Sequence, residues 1–204
     1  MNRFFNPESG IWNAFGVVGE LVMLSLLWGI CCIPLLTIGA STTALYDSVV
    51  HVIRRQDDNL FNRFWGTFRR ELKSGIASTL LWLVISGVLV LLFILLRDNT
   101  REEAVRNTGL TLYAILVPFF LLCVLCWVFP ILSRFTFQTL ALNATALRLA
   151  FGHILRSVLM ALITLAGFLA CYFLISPIMF VPACVAFLWS LLIEPVFRRY
   201  ETQG

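Results

Sequence analysis

Four long apolar stretches constrain this chain more than any other feature, covering about 16–38, 76–96, 110–132 and 158–197. A helix crosses a hydrocarbon layer about 30 Å thick with roughly 20 apolar residues. The second stretch holds no charged residue. Pro34 breaks the first near its end, and Pro118 and Pro130 fall inside the third. The fourth is too long for one crossing, and Pro177 and Pro182 divide it into spans of about 158–176 and 180–197. The pattern predicts an all-α, polytopic membrane protein with about five transmembrane helices in a single membrane domain over 1–204. Composition agrees: 60% of residues are hydrophobic and 13% charged, against about half and a quarter in a soluble domain. The first fifteen residues are too polar for the apolar core of a signal peptide, so the first stretch is expected to be retained.

The positive-inside rule assigns an orientation to five spans. The segment between the first two spans carries Arg54, Arg55, Arg63, Arg69, Arg70 and Lys73. The segment between the third and fourth carries Arg134, Arg148 and Arg156, and the tail carries Arg198 and Arg199. The opposite side holds Arg3, Arg97, Arg101 and Arg106, the last three diluted by Asp98, Glu102 and Glu103. The expected orientation is N-terminus outside and C-terminus in the cytoplasm.

Both cytoplasmic connections carry helical periodicity. In the first, Ser41 or Thr42 can cap a helix over about 42–55, with Leu45, Val49, Val52 and Ile53 at helical spacing. A polar turn, Gln56 to Asn59, precedes a second helix over about 60–73. There Phe61, Phe64, Trp65, Phe68 and Leu72 share one face, and Arg63, Arg69, Arg70 and Lys73 the other. Three occupants suit the aromatic face: the protein's own bundle, the headgroup boundary of an anionic leaflet, or a partner. A third amphipathic helix is expected over about 133–155, with Phe137, Leu140, Ala144, Leu147, Phe151 and Ile154 on one side. Both halves read as a span ending at a proline, an amphipathic segment with arginines, and a return span. This suggests a weak parallel duplication.

Small and hydroxyl residues from Gly39 to Ala44 join the first span to its following helix. Pro34, Gly39, Ser41, Thr42, Thr43 and Tyr46 read as a packed corner, or as a docking surface for another membrane subunit. Glu20 and Glu194 are the ionisable residues within or beside spans, and each suits either an interfacial or a partner-facing role. Arg198, one turn past Glu194, is its available partner. Asp47 and His51 stand four apart, close enough for a hydrogen-bonded surface pair. The six cysteines all lie in apolar stretches and read as small buried hydrophobes rather than a disulfide framework. Cys123 and Cys126 form a C-x-x-C without the second pair or nearby His that a zinc site needs. Asn143-Ala144-Thr145 fits a glycosylation sequon, but the expected topology puts it in the cytoplasm. No catalytic motif, metal site, cofactor or nucleic-acid partner is expected; the basic residues beside spans suit the lipid bilayer better.

The segment IPLLTIGASTTALYDSVVHVIRRQDDNLFNRFWGTFRREL, from Ile33, resembles the YesL family of bacterial membrane proteins. Its marks are Pro34, the Thr37 to Tyr46 run, a charged turn, and the aromatic helix with Phe61, Phe64 and Phe68. ELVMLSLLWGICC looks like that family's first span, with Ser25 where members often carry Asn. FPILSRFTFQTLALNATALRLAFGHILRSVL and the ending PVFRRYE are similar to its later elements. The resemblance implies a multi-pass protein of the bacterial plasma membrane, often encoded beside carbohydrate ABC importers. It implies no catalytic residue. The expected function is a non-enzymatic accessory or interaction protein associated with carbohydrate ABC import. ABC importer permease subunits and self-association are its candidate partnerships. The alternative is a small oligomeric transporter or channel, with a site lined by helices broken at Pro118, Pro177 and Pro182.

Overall fold

A computed structural model describes residues 10–54, 59–99, 103–134, 139–173 and 180–201, and they are helical almost throughout. The helices are α1 (Gly10–Cys31), α2 (Ile38–Ser48), α3 (Leu60–Asn99), α4 (Glu103–Arg134), α5 (Thr139–Gly152), α6 (Ile154–Phe173) and α7 (Val181–Glu201). A 3₁₀ turn, Leu35–Thr37, precedes α2, and a π-helical turn, Val49–Arg54, extends it. Segments of α3, α4 and α6 are long and apolar enough to cross a membrane: Leu60–Arg97, Thr108–Arg134 and Ile154–Phe173. The first and last of the five expected spans correspond to shorter apolar stretches, Gly16–Cys31 and Val181–Val196. The architecture is all-α and of membrane type. The expected turn at Pro177, the polar turn at Gln56 to Asp58, and Phe137 lie outside the described residues.

The first connection packs between α1 and α3. α1 ends at Cys31, whose carbonyl, left open at the helix end, lies 2.6 Å from the Thr37 hydroxyl; that hydroxyl is also 2.7 Å from the Pro34 carbonyl. The chain then folds back. The Trp28 indole donates to Thr42 Oγ1 at 3.2 Å, and Cys32 Sγ lies 3.3 Å from Ser41 Oγ, so α2 is antiparallel to α1. It is antiparallel to α3 as well: Gly39 abuts Gly75, and Asp47 meets Thr67 and Arg63. α1 and α3 therefore run in the same direction, whereas crossings of opposite sense were expected. Apart from Ile38 and Thr42, every residue of α2 is buried.

Residue size explains how α2 fits between its neighbours. A Cβ added at Gly75 would stand 2.6 Å from the Ala40 backbone nitrogen. One added at Gly39 would stand 2.7 Å from the Gly75 carbonyl oxygen and press on the Thr79 hydroxyl. Only a side chain of one hydrogen permits this backbone approach. The expected cap at Ser41 or Thr42 is absent because α2 begins earlier, at Ile38. The Ser41 and Thr43 hydroxyls instead donate to the carbonyls four residues back, Thr37 and Gly39, at 2.6 and 2.8 Å.

The amphipathic helix expected over 60–73 and the span over 76–96 form one 40-residue helix, α3, about 60 Å long. α4 returns along it, the Tyr113 hydroxyl donating to the Leu89 carbonyl at 2.9 Å. Pro118 and Pro130 lie inside α4 without ending it. The amphipathic helix expected over 133–155 is divided, since α4 continues to Arg134 and α5 starts at Thr139. α5 folds back on α4, with the rings of Phe151 and Phe120 5.5 Å apart. Because α4 opposes α3, and α3 parallels α1, the two halves start in opposite directions. The expected parallel duplication does not fit that arrangement.

Candidate functional site

The N-terminal turns of α3 present two distinct faces, set by helical spacing. Phe64, Thr67, Glu71 and Gly75 are buried, and Phe64, Thr67 and Gly75 pack toward α2. Phe61, Arg69, Arg70 and Lys73 are exposed, and Trp65 and Phe68 are half-buried. The buried face is rotated roughly a fifth of a turn from the aromatic face expected from hydrophobicity, since helical positions advance by about 100° each. Small and polar residues, Thr67 and Gly75 among them, fix the true packing face.

On the buried face stands an ionic network. Asp47, only 2% exposed, accepts Arg63 Nε at 2.8 Å on Oδ2 and Arg63 Nη2 at 3.2 Å on Oδ1. The Thr67 hydroxyl donates to Oδ2 at 2.7 Å. His51 Nδ1 lies 3.1 Å from Oδ1 and 2.9 Å from the Asp47 carbonyl oxygen. Asp47 and His51 are thus paired, but not at a surface. Arg63, expected on the outer cationic face, reaches inward instead. A two-pronged guanidinium contact and a hydroxyl occupy the carboxylate, as a buried charge requires. The π-helical turn begins two residues after Asp47.

On the exposed face Phe61 and Trp65 stack with ring centres 6.3 Å apart and planes 11° apart. The Arg69 guanidinium lies over the Trp65 ring, 5.1 Å from its centre. Phe61 is 54% exposed. The aromatic face is therefore divided: Phe64 packs on the protein, Phe68 stacks on both Phe64 and Trp65, and Phe61 with Trp65 and Arg69 looks outward.

A second buried ion pair joins Arg134 at the end of α4 to Glu194 on α7. Arg198, the expected partner, lies outside the described side chains. Glu20 is half-buried on α1. Of the corner residues, Gly39, Ser41, Thr43 and Tyr46 are buried, Thr42 is half-buried against Trp28, and Pro34 is exposed. Ser25 Oγ accepts the Ala183 backbone N–H at 3.2 Å, taking up a donor that the first turn of α7 leaves open. Sequence reasoning missed Glu71, buried and bonded to Arg70 Nε at 2.7 Å, and the Asp47–Arg63 pairing. The signal for the latter was present: a charge pair bracketing a turn between two amphipathic helices. Among the described residues no group of three or more His, Cys, Asp or Glu is placed to hold a metal ion.

A cavity of about 470 Å³ lies between α2, α4, α6 and α7, walled by Tyr46, Cys126, Thr164, Val185 and Trp189 among others. Pro182 lines it from the first turn of α7, whereas Pro118 does not.

Over residues 21–93 the chain matches a family model described as "Protein of unknown function, DUF624". That segment contains the α1–α2 hairpin, the Asp47 network and the exposed stack. No curated protein and no solved structure matches the chain.

Proposed function

We propose that this is a non-catalytic, multi-pass protein of the bacterial plasma membrane that works by association with a carbohydrate ABC importer, through the permease subunits. The YesL-like run from Pro34 to Phe68 suggests that partner. The observation that carries an association role is the Phe61–Trp65–Arg69 stack. Aromatic rings and an arginine held in one exposed array are the residue types that dominate protein interfaces. The buried charges support the same reading, because Asp47 and Glu194 are spent on ion pairs that hold helices together. The alternative, a small oligomeric transporter or channel, draws on the cavity beside Pro182. Its largely apolar wall suits a sugar poorly.

The cytoplasmic side is the arginine-rich end formed by the start of α3 and the end of α4. Since α1 parallels α3, its N-terminal end comes to that same end of the molecule. We therefore favour a cytoplasmic N-terminal end over the outside location expected from a count of five spans. The C-terminal end of α7, tied near the end of α4 by Arg134–Glu194, lies there too.

The test is purification at native expression in a gentle detergent, with importer permease subunits quantified in the eluate. Trp65→Ala is expected to lower their recovery about tenfold while the chain still elutes as a single species. Undiminished recovery, or none from the wild type, overturns the association. Single cysteines at Gly10 and Asn99 in a cysteine-free background test the orientation: an impermeant thiol reagent should reach Asn99 from outside and Gly10 only after permeabilisation.

A further inference from the structure

The cavity between α2, α4, α6 and α7 has chemistry that selects its occupant. Several of its polar wall groups are already engaged. Thr42 accepts the Trp28 indole N–H, and the Thr164 hydroxyl donates to the Met160 carbonyl at 2.7 Å, beside Cys126 Sγ at 3.7 Å. A hydroxyl-rich solute would lose its water here and recover few hydrogen bonds. A hydrocarbon would lose nothing. Trp189, also in the wall, is 7% exposed, and its indole N–H has no partner among the described residues.

The mouth points to where the occupant comes from. Phe168 and Tyr172 line the cavity and are themselves 78% and 80% exposed. They continue into Leu165 and Leu169, also exposed, on a helix long and apolar enough to cross a membrane. The opening therefore lies on a surface that lipid chains solvate, and not on a polar one. The floor is held by a close crossing of α6 and α7, where a Cβ at Gly167 would stand 2.8 Å from Val185 Cγ2.

We propose that this cavity holds one acyl chain of a membrane phospholipid, inserted sideways past Phe168 and Tyr172, with the headgroup left outside. Its volume, about 470 Å³, falls within the roughly 300–1,000 Å³ of small-molecule sites. The site is independent of the importer association, since the Phe61–Trp65–Arg69 stack is not part of its wall.

The experiment is native mass spectrometry of the full chain purified in mild detergent. The wild type is expected to keep one phospholipid through washing that removes the bulk lipid. Cys171→Trp and Leu122→Trp, which fill the cavity from two different helices, are each expected to cut that retention about fivefold or more while eluting as a single species. A displacement assay on the wild type needs no variant to fold. An added long-chain fatty acid should release the phospholipid, and a maltooligosaccharide should not. A wild type without retained lipid, fillers that retain as much as wild type, or release by the oligosaccharide overturns the proposal.

Discussion

The connection formed by α2 with its π-helical turn and the connection formed by α5 are similar in plan. Each follows an apolar helix, each folds back on that helix, and each carries apolar residues at helical spacing. Their burial differs sharply. α2 is buried on nearly every side, with α1, α3, α4 and α7 around it. α5 buries Leu142, Ala146 and Ala150 but leaves Ala144, Leu147, Arg148 and Phe151 exposed. Periodicity does not separate the two segments; residue size does. Gly39, Ala40 and Ala44 on α2, meeting Gly75 on α3, allow backbones to approach from more than one side. α5 carries small residues too, Ala141, Ala144, Ala146 and Ala150, but no glycine before Gly152 at its end, where a Cβ would meet nothing, and it packs with one stripe. Burial on all sides then obliges α2 to neutralise its one carboxylate internally, which Arg63 and Thr67 do.

The largest expected effect follows from that obligation. Arg63→Ala leaves the Asp47 carboxylate buried without its guanidinium, and removing one member of a buried pair costs about 3–5 kcal/mol. The matched change on α5, Arg148→Ala, removes an exposed charge and should stay within about 0.5 kcal/mol. Thermal unfolding of both variants in one detergent measures the contrast. Equal shifts would show that the Asp47 network is not what distinguishes the first connection.

Next in size is the backbone approach itself. Gly75→Ala puts a methyl against the Ala40 backbone and should cost about 1–3 kcal/mol, the usual penalty for overpacking. A Cβ at Gly152, the last residue of α5, meets nothing within 4 Å, so Gly152→Ala should be neutral within about 0.5 kcal/mol. A tolerated Gly75→Ala would mean that the two helices can separate freely, and size would no longer explain the burial of α2.

The helical class and the apolar stretches were legible because a lipid phase requires long uncharged runs, and 76–96 and 110–132 announce themselves. The interior of the first connection was not. Hydrophobicity assigned Phe61 and Trp65 to the same face as Phe64, but Thr67 and Gly75 set the packing face, and neither scores as apolar. Arg63 was placed outside for the same reason: an arginine counts as a surface residue until its carboxylate is located across a turn. Glu194 was singled out, yet its partner Arg134 lies 60 positions away, beyond the reach of i, i+4 reasoning. The direction of α2 was hidden for a different cause. Pro34 signals an interruption, and nothing in the residues themselves says whether the chain continues onward or reverses.

A smaller effect joins the two connections' halves. Trp82 on α3 donates its indole N–H to Asn143 Oδ1 on α5 at 2.7 Å, one of the polar contacts anchoring α5 across the bundle. Asn143→Leu removes the acceptor and strands the indole, and should cost about 0.5–1.5 kcal/mol. The double variant with Trp82→Phe should recover part of that loss, because both polar partners are then gone. Additive costs in the double-mutant cycle would remove this contact from the account of how α5 is held.

The smallest expected effect is that of Phe151→Ala, and a companion variant at the same position distinguishes lipid from water as the surroundings of α5. Phe151 is 58% exposed and makes a tilted ring contact with Phe120. In hydrocarbon an exposed ring gains nothing from burial, so Phe151→Ala should forfeit only the ring pair, about 0.5–1 kcal/mol. Phe151→Asp separates the environments more sharply. At a lipid-facing position it should add about 2.5 kcal/mol or more to the cost, whereas at a water-facing one it should behave as Ala does. If Ala and Asp prove equal, Phe151 faces water, and lipid does not cover that stripe of α5.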